Sequence, residues 1–352
     1  MSRSKRKLEH IDHAMETGQI DSSGLEDIRF IHQSLPDINL KDVSIASSIG
    51  ELQLSSPIFI NAMTGGGGKA TENINAQLAE IANTLSMPMA VGSQMAAIKD
   101  TNERRSYQIV REKHPKGVIF ANLGSEATVE QAKTSIEMIE ADAIQIHLNV
   151  IQELVMPEGD RDFTGALQRI EKICEAVPVP VIVKEVGFGM SKETVRKLYE
   201  AGVKIVDIGG FGGTNFSKIE NNRRLETYQF FNDWGIPTAV SIIEAKYTEP
   251  DIQVIATGGI KNALHIAKAI SLGANAVGMA GKILKWLHEI GADGTTKNLQ
   301  GIFNELRVIM TAVGARNIND LQRTPVLIQG TTNNWLKERQ ISTEYYANRT
   351  KE

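Results

Sequence analysis

Two glycine-bearing turns late in the chain, Thr257-Gly258-Gly259 and Ala280-Gly281, have the composition of an anion cradle. Without Cβ atoms, backbone N–H groups there can approach a phosphate closely, and helices starting beyond the turns add partial positive charge. A second segment, His147-Leu148-Asn149 followed by Gln152 and Glu153, sets an imidazole and an amide two residues apart, with a carboxylate just beyond. On a strand such spacing puts both side chains on one face, inward if Gln145 also points inward, where they can share one ligand. His147 reads equally as a hydrogen-bonded interior histidine. Glu153 alone reads as a solvated loop carboxylate; beside a diphosphate it suits Mg²⁺, which keeps waters and takes few protein ligands. Lys184, ending an apolar run, either pairs with a carboxylate such as Glu185 or faces a ligand as a fixed cation.

These residues follow short β-rich apolar runs that recur from residue 57 onward: Ile58–Ile60, Pro88–Val91, Val118–Ala121, Ala143–Ile146, Val181–Val183, Ile205–Ile208, Val254–Ala256 and Ala276–Met279. Eight such runs, spaced for one crossover helix each, predict an α/β chain folded as a (β/α)8 TIM barrel. A doubly wound open sheet shares the alternation, but no Gly-x-Gly-x-x-Gly opens a helix after an early strand, so a nicotinamide-binding unit is not supported. In a barrel, catalytic groups lie at the C-terminal ends of the strands. There the chain carries Asn61 to Gly68, Gly92-Ser93-Gln94, Asn122-Leu123-Gly124, His147 to Asn149, Lys184-Glu185, Gly209 to Thr214, Thr257 to Ile260 and Met279 to Lys282.

Residues 1–56 read as an N-terminal extension, with a charged helix over 5–20 and a weak alternation over 28–55, where Ile38, Leu40, Val43 and Ile45 suggest short antiparallel strands. Asn215 to Thr227 is too polar for core and predicts a long active-site loop before a helix near Tyr228 to Asp233. The barrel is expected to span 57–340, closed by helices over Lys282 to Ile290 and Leu299 to Val313, with a loose polar tail over 341–352.

A net charge of -4 and an aromatic content of 5% offer little to nucleic acid. Cys174 is the only cysteine and cannot form an internal disulfide, which fits a reducing compartment. No apolar run is long enough to span a bilayer, and the basic start, Arg3 to Lys7, leads into Glu9 and Asp12 and not into a signal peptide. A cytoplasmic enzyme without nucleic-acid or membrane partners is expected.

Taken in order, Arg6-Lys7-x-x-His10, Met63-Thr64-Gly65-Gly66, Gly92-Ser93-Gln94, His147-Leu148-Asn149 with Gln152-Glu153, Gly209 to Thr214 and Thr257-Gly258-Gly259 resemble type 2 isopentenyl-diphosphate isomerases over about residues 5–335. The resemblance implies a homo-oligomer, an octamer or tetramer, that interconverts isopentenyl and dimethylallyl diphosphate with reduced FMN, Mg²⁺ and NADPH as reductant. It implies flavin contacts from Ala62, Met63, Thr64, Ser93, Asn122, Lys184, Thr214, Gly258, Gly259, Ala280 and Gly281. A cation at Lys184 would then stabilise negative charge on reduced flavin. It further places the diphosphate on Arg6, Lys7, His10, Ser93, Gln94, His147, Asn149 and Gln152, and Mg²⁺ on Glu153. Met95 departs from the family pattern, which often has arginine there, and the first loop carries four glycines. Few acid-base pairs stand at the strand ends, so reduced flavin itself is expected to move the proton. Two other readings stay open: another FMN barrel, such as a 2-hydroxy-acid oxidase, for which the Gly209-Gly210-Phe211-Gly212 strand end lacks the expected His-Arg pattern, or a non-catalytic flavin- or phosphate-binding module.

Overall fold

A strand enclosed on both faces must be apolar nearly throughout, whereas a strand inside a barrel can carry polar residues only where they find partners. Both patterns are present in the computed structural model, which describes residues 23–62 and 67–349. The described strands are β1 (Ile28–Phe30), β2 (Ser47–Ile49), β3 (Leu52–Leu54), β4 (Ile58–Ile60), β5 (Met89–Ala90), β6 (Ile119–Gly124), β7 (Ala143–Leu148), β8 (Val181–Glu185), β9 (Ile205–Asp207), β10 (Gln253–Ala256), β11 (Ala276–Met279) and β12 (Val326–Ile328). Strands β4 to β11 pair in parallel and close into a barrel, with β11 returning to β4. Each expected run supplies one barrel strand.

The period of two divides each barrel strand into an outer and an inner set. Outward residues such as Ile58, Ile119, Ile144, Val183, Val206, Val254 and Val277 join one large core with the surrounding helices. Inward residues form two levels. Phe59, Phe120, Ala143, Ile182, Ile205, Ile255 and Ala276 make an apolar lower level. Two residues further along the same strands stand Asn61, Asn122, Gln145, Lys184, Asp207, Thr257 and Gly278. The β2–β3 hairpin plugs the bottom: Ile49 and Leu54 pack on the lower level, and Gly50 N–H donates to Gln253 Oε1 at 2.6 Å. Chemistry is thereby confined to the upper mouth.

Several helices start where the sequence offers a cap. Thr128 closes a reciprocal capping box with Gln131, Ser191 accepts from Thr194 N–H, and Asn262 accepts from His265 N–H.

Four expectations need correction. Residues 28–55 do hold short antiparallel strands, β1 and the β2–β3 hairpin, but Ile38 to Ile45 form none of them: a 3-10 turn at Leu40–Asp42 leads into buried Val43 and Ile45. Asn215 to Thr227 is not a plain loop. It contains the Phe216–Asn221 helix, whose Ser217 and Asn221 are buried because they hydrogen-bond to Asn232 Oδ1. Tyr228 to Asp233 holds only a 3-10 turn, Gln229–Phe231, and the crossover helix is Thr238–Thr248. As far as Arg349 the tail is docked, since Ile341 and Tyr346 are buried and Arg349 donates to Thr324 O at 2.9 Å and Ser271 O at 2.5 Å. The closing helices appear as one run, Gly281–Ala312, broken at Gly291, where φ is 69°. The expected helix over 5–20 lies outside the described residues.

Phe59 is fully buried and meets Phe120 edge-on with ring centroids 5.5 Å apart, so it holds the lower level together. Phe59→Ala is expected to cost about 3–5 kcal/mol, read from urea unfolding at constant FMN concentration. A loss under about 1 kcal/mol would mean that the lower level repacks freely.

Candidate active site

Most of the upper inward level is joined in one hydrogen-bonded row. His147 Nδ1 lies 2.9 Å from Asn122 Oδ1; Asn122 Nδ2 donates to Gln145 Oε1 at 3.0 Å; Gln145 Nε2 donates to Asn61 Oδ1 at 3.1 Å; and Asn61 Nδ2 donates to Asp207 Oδ2 at 2.9 Å. Thr257 Oγ1 and Gly209 N–H complete the Asp207 carboxylate. Burial raises the Asp207 pKa, against the pull of Lys184, Thr257, Asn61 and Gly209. Lys184 neighbours Asp207 in the β8–β9 register and donates through Nζ to the Glu185 carbonyl at 2.8 Å. The sequence left a Lys184–Glu185 charge pair open. The Glu185 carboxylate instead accepts from the N–H groups of Val186, Gly187 and Phe188, and burial pushes it up to about 7.

A cleft of about 700 Å³ opens above Lys184, lined by Ala62, Thr214, Gly258, Gly259, Ala280 and Gly281 among others. Seven of the expected flavin contacts, counting Lys184, thus meet at one place. The floor is backbone packed on backbone: a Cβ on Gly258 would stand 1.9 Å from Gly210 O, and one on Gly213 would stand 2.8 Å from Gly259 N. Only glycine permits that approach. The Gly281–Ala312 helix begins at the cleft, turning its positive end toward it. Lys282 also lines the cleft, its Nζ donating to Lys261 O and lying over the Trp286 ring. Glycine backbone, a helix N-terminus and two lysines fit a phosphorylated cofactor. Met63 and Thr64 lie outside the described residues.

A second cleft on the same mouth, about 1360 Å³ and open to solvent, is lined by Ser93, His147, Asn149, Gln152 and Glu153. Asn149 Nδ2 donates to Glu153 Oε1 at 2.8 Å, and Asp160 N–H donates to Oε2 at 2.8 Å. Burial raises the Glu153 pKa despite these two bonds. Gln152 Nε2 donates to Glu220 Oε1 at 3.2 Å, and Arg223 joins Glu220 to Glu158. Two expected residues are placed elsewhere. Asn122 is buried in the interior row, and Gln94 is fully buried, donating to Ser135 O and accepting from Asn122 N–H. Met95 packs in the core, whereas Lys99, one turn on, lines the cleft. Arg6, Lys7 and His10 lie outside the described residues. Ser23 lies against the glycine turns: a Cβ on Gly212 would meet Ser23 N at 2.8 Å.

Residues left without a site role in the sequence reading are Asn61, Gln145, Asp207, Glu220 and Lys282, although Asn61 and Lys282 stand among the strand-end residues. The available signal was the period of two, which puts Gln145 in register with His147 and sets Asp207 inside an otherwise apolar run.

A family model described as FMN-dependent dehydrogenase matches residues 115–328. An isopentenyl-diphosphate delta-isomerase of Geobacillus sp. (strain WCH70) is 57% identical over 347 residues, covering 99% of each chain. One of Bacillus pumilus (strain SAFR-032) is 55% identical over 350 residues, again covering 99% of each. The chain belongs to the isopentenyl-diphosphate delta-isomerase family. Its barrel is also similar to a flavocytochrome b2 variant with sulfite bound (TM-score 0.68, 17% identity, 95% of this chain and 85% of that one). A mandelate oxidase mutant with a monooxide FMN adduct gives a TM-score of 0.63 at 15% identity, covering 93% of each. At such identities these two likenesses concern the fold, not the chemistry.

Gly259 has φ 71°, and a Cβ there would lie 2.7 Å from Gly212 O and 3.0 Å from Ser23 Cβ. Gly259→Val is expected to weaken FMN binding at least about tenfold by displacing the backbone amides. Fluorescence titration of protein shown to be folded by circular dichroism checks this, and parent-like affinity would place the phosphate elsewhere.

Proposed function

We propose that this chain interconverts isopentenyl and dimethylallyl diphosphate, with reduced FMN in the glycine-lined cleft and the substrate diphosphate in the neighbouring one. The observation that carries the reading is the near-full-length likeness to isomerases at 55–57% identity. The two clefts on one mouth support it. Reduced FMN, when bound, supplies an exchangeable proton and a polarisable ring face to the alkene; the isomerisation itself involves no net redox change. NADPH is the proposed reductant.

The chain's own part is to hold and orient. Gly258, Gly259, Ala280 and Gly281 would cradle the cofactor phosphate, with Ala62, Met63, Thr64, Thr214 and Ser93 beside the ring. Lys184, with Asp207 and the Glu185 carbonyl beside it, presents a fixed cation to a developing negative charge in a partly dry site. Asn122 serves from beneath through the interior row.

Charge in the second cleft calls for help from outside it. Glu126, Glu153, Glu158, Asp160 and Asp162 line it, against Lys99 and Arg169. A diphosphate among so many carboxylates needs added positive charge, which Mg²⁺ and Arg6, Lys7 and His10 would supply. Among the described residues, no three or more His, Cys, Asp or Glu are grouped to hold a metal. The proposed ion would be held by Glu153, the diphosphate and water. Ser93, His147, Asn149 and Gln152 would complete the grip, with Gln94 acting through the Asn122 backbone. Ser23 stands at the mouth, and the 13 residues from His10 to Ser23 can reach about 45 Å. We further propose a homo-oligomer acting in the cytoplasm; among the described residues, no helix is long and apolar enough to cross a membrane.

With dithionite-reduced FMN and Mg²⁺ under anaerobic conditions, one reduction should support many turnovers, and product formed in D₂O should carry deuterium at the newly protonated carbon. Stoichiometric NADPH consumption would overturn the acid-base reading. Glu153→Gln should cut activity about a hundredfold or more while FMN binding survives; an unchanged Mg²⁺ activation curve would remove Glu153 from the metal site. Deleting residues 1–10 should raise KM at least about tenfold through lost charge-assisted contacts, and normal kinetics would return that segment to a solvated tail.

A further inference from the structure

Amide side chains can be turned either way round, but in this interior row each orientation is dictated by its neighbour. The anchor is Asn61. Its Oδ1 accepts from the backbone N–H of Ala62 at 2.8 Å, and its Nδ2 donates to Asp207 Oδ2 at 2.9 Å. Turning the amide over would set NH₂ against N–H and a carbonyl oxygen against a carboxylate oxygen. With Asn61 fixed, Oδ1 can receive only a donor, so Gln145 must present Nε2 and keep Oε1 for its other neighbour. That neighbour is Asn122, which must donate through Nδ2, and its Oδ1 is left to meet His147 Nδ1.

We infer that the row Asn61–Gln145–Asn122, oriented from the cofactor side by Ala62 N–H and Asp207, holds His147 with its proton on Nδ1, so that Nε2 is the ring atom assigned to the diphosphate cleft. Asn61, Gln145 and Asp207 are positioning residues. Of the row, only His147 lines the second cleft. A carbonyl oxygen facing Nδ1–H accommodates the imidazolium as well as the neutral ring. The charged ring donates Nε2–H to a phosphate oxygen without disturbing Asn122. If Asn122 turned its NH₂ to Nδ1, the ring could not take up its second proton there, and the contact would lose its charge. The orientation set beside the cofactor therefore selects the form of histidine suited to an anion. This consequence rests on the reading of His147 as a diphosphate contact; the tautomer itself does not.

The test uses FMN-loaded enzyme labelled with nitrogen-15 histidine and solid-state magnetic resonance of the neutral ring. Among seven histidines, His147 is assigned by the signals lost in His147→Gln. The parent enzyme is expected to carry the proton on Nδ1. Gln145→Met, similar in length but without hydrogen-bonding groups, cuts the row and should populate both tautomers. In the same variant KM for isopentenyl diphosphate should rise about tenfold with kcat nearly unchanged, the size expected for one charge-assisted bond. A proton on Nε2 in the parent, or Nδ1–H fully retained in Gln145→Met, would overturn the inference; the parent spectrum decides even if the variant does not fold. An altered tautomer with unchanged KM would overturn instead the assignment of His147 to the diphosphate.

Discussion

The interior of a closed barrel admits no water to spare, so a polar side chain pointing inward must find its partner among the other inward side chains. That requirement orders the whole upper half of this molecule. Below, aromatic and branched residues fill the space and the β2–β3 hairpin seals it. Above, Asn61, Asn122, Gln145, Asp207 and Thr257 satisfy one another in a single connected row. Gly278 leaves room for it, since a Cβ there would stand 2.6 Å from the Thr257 methyl and 3.0 Å from Asn61 Nδ2. A row so connected is rigid because breaking any one bond strands a buried donor or acceptor. Both clefts stand over that row: Lys184, beside Asp207, lines one, and His147, at the row's end, lines the other.

Rigidity beneath is matched by close backbone packing at the rim. The Gly209 to Gly213 and Gly258-Gly259 turns touch directly, and Thr238 Oγ1 donates to Gly258 O at 2.6 Å. Ser23 and Glu26 come from the other end of the chain, and His265 bridges them to the turn through Gly259 O at 3.3 Å and Glu26 at 3.8 Å. The cofactor cleft and the segment leading to the basic N-terminus therefore share a wall.

Much of this could be read from the residues alone. The eight barrel strands were legible because a strand covered on both faces leaves a nearly unbroken apolar run. The cleft-lining glycines, Lys184 and His147 were legible because barrel chemistry collects where those runs stop. The interior row was not. Asn61 and Asn122 look like loop residues at strand ends, while Gln145 and Asp207 look like interruptions of core, and only the barrel's closure shows that they meet. Glu220 was hidden for a related reason: in a polar stretch it reads as solvated, yet it is fully buried between Gln152 and Arg223. The tail misled because Ile341 stands alone among polar residues and Tyr346 falls in the short run Tyr345-Tyr346-Ala347, too little to carry a period from which docking can be inferred.

Pairing of β1 with β12 in antiparallel register, Ile28 against Ile328, joins the two ends of the molecule. On a ribosome the partner of β1 emerges about 300 residues after it, a wait of roughly 15–60 s at ordinary synthesis rates. During that time Leu25 and Ile28, fully buried in the finished protein, have no core to enter. The barrel strands can meanwhile pair in the order they are made, but Ser23 cannot settle against Gly212 and Gly259 until those turns exist. The segment from Ser23 to Phe30 is thus among the last to find its place, and the rim it walls is completed only when the strands and turns it packs on have all been made.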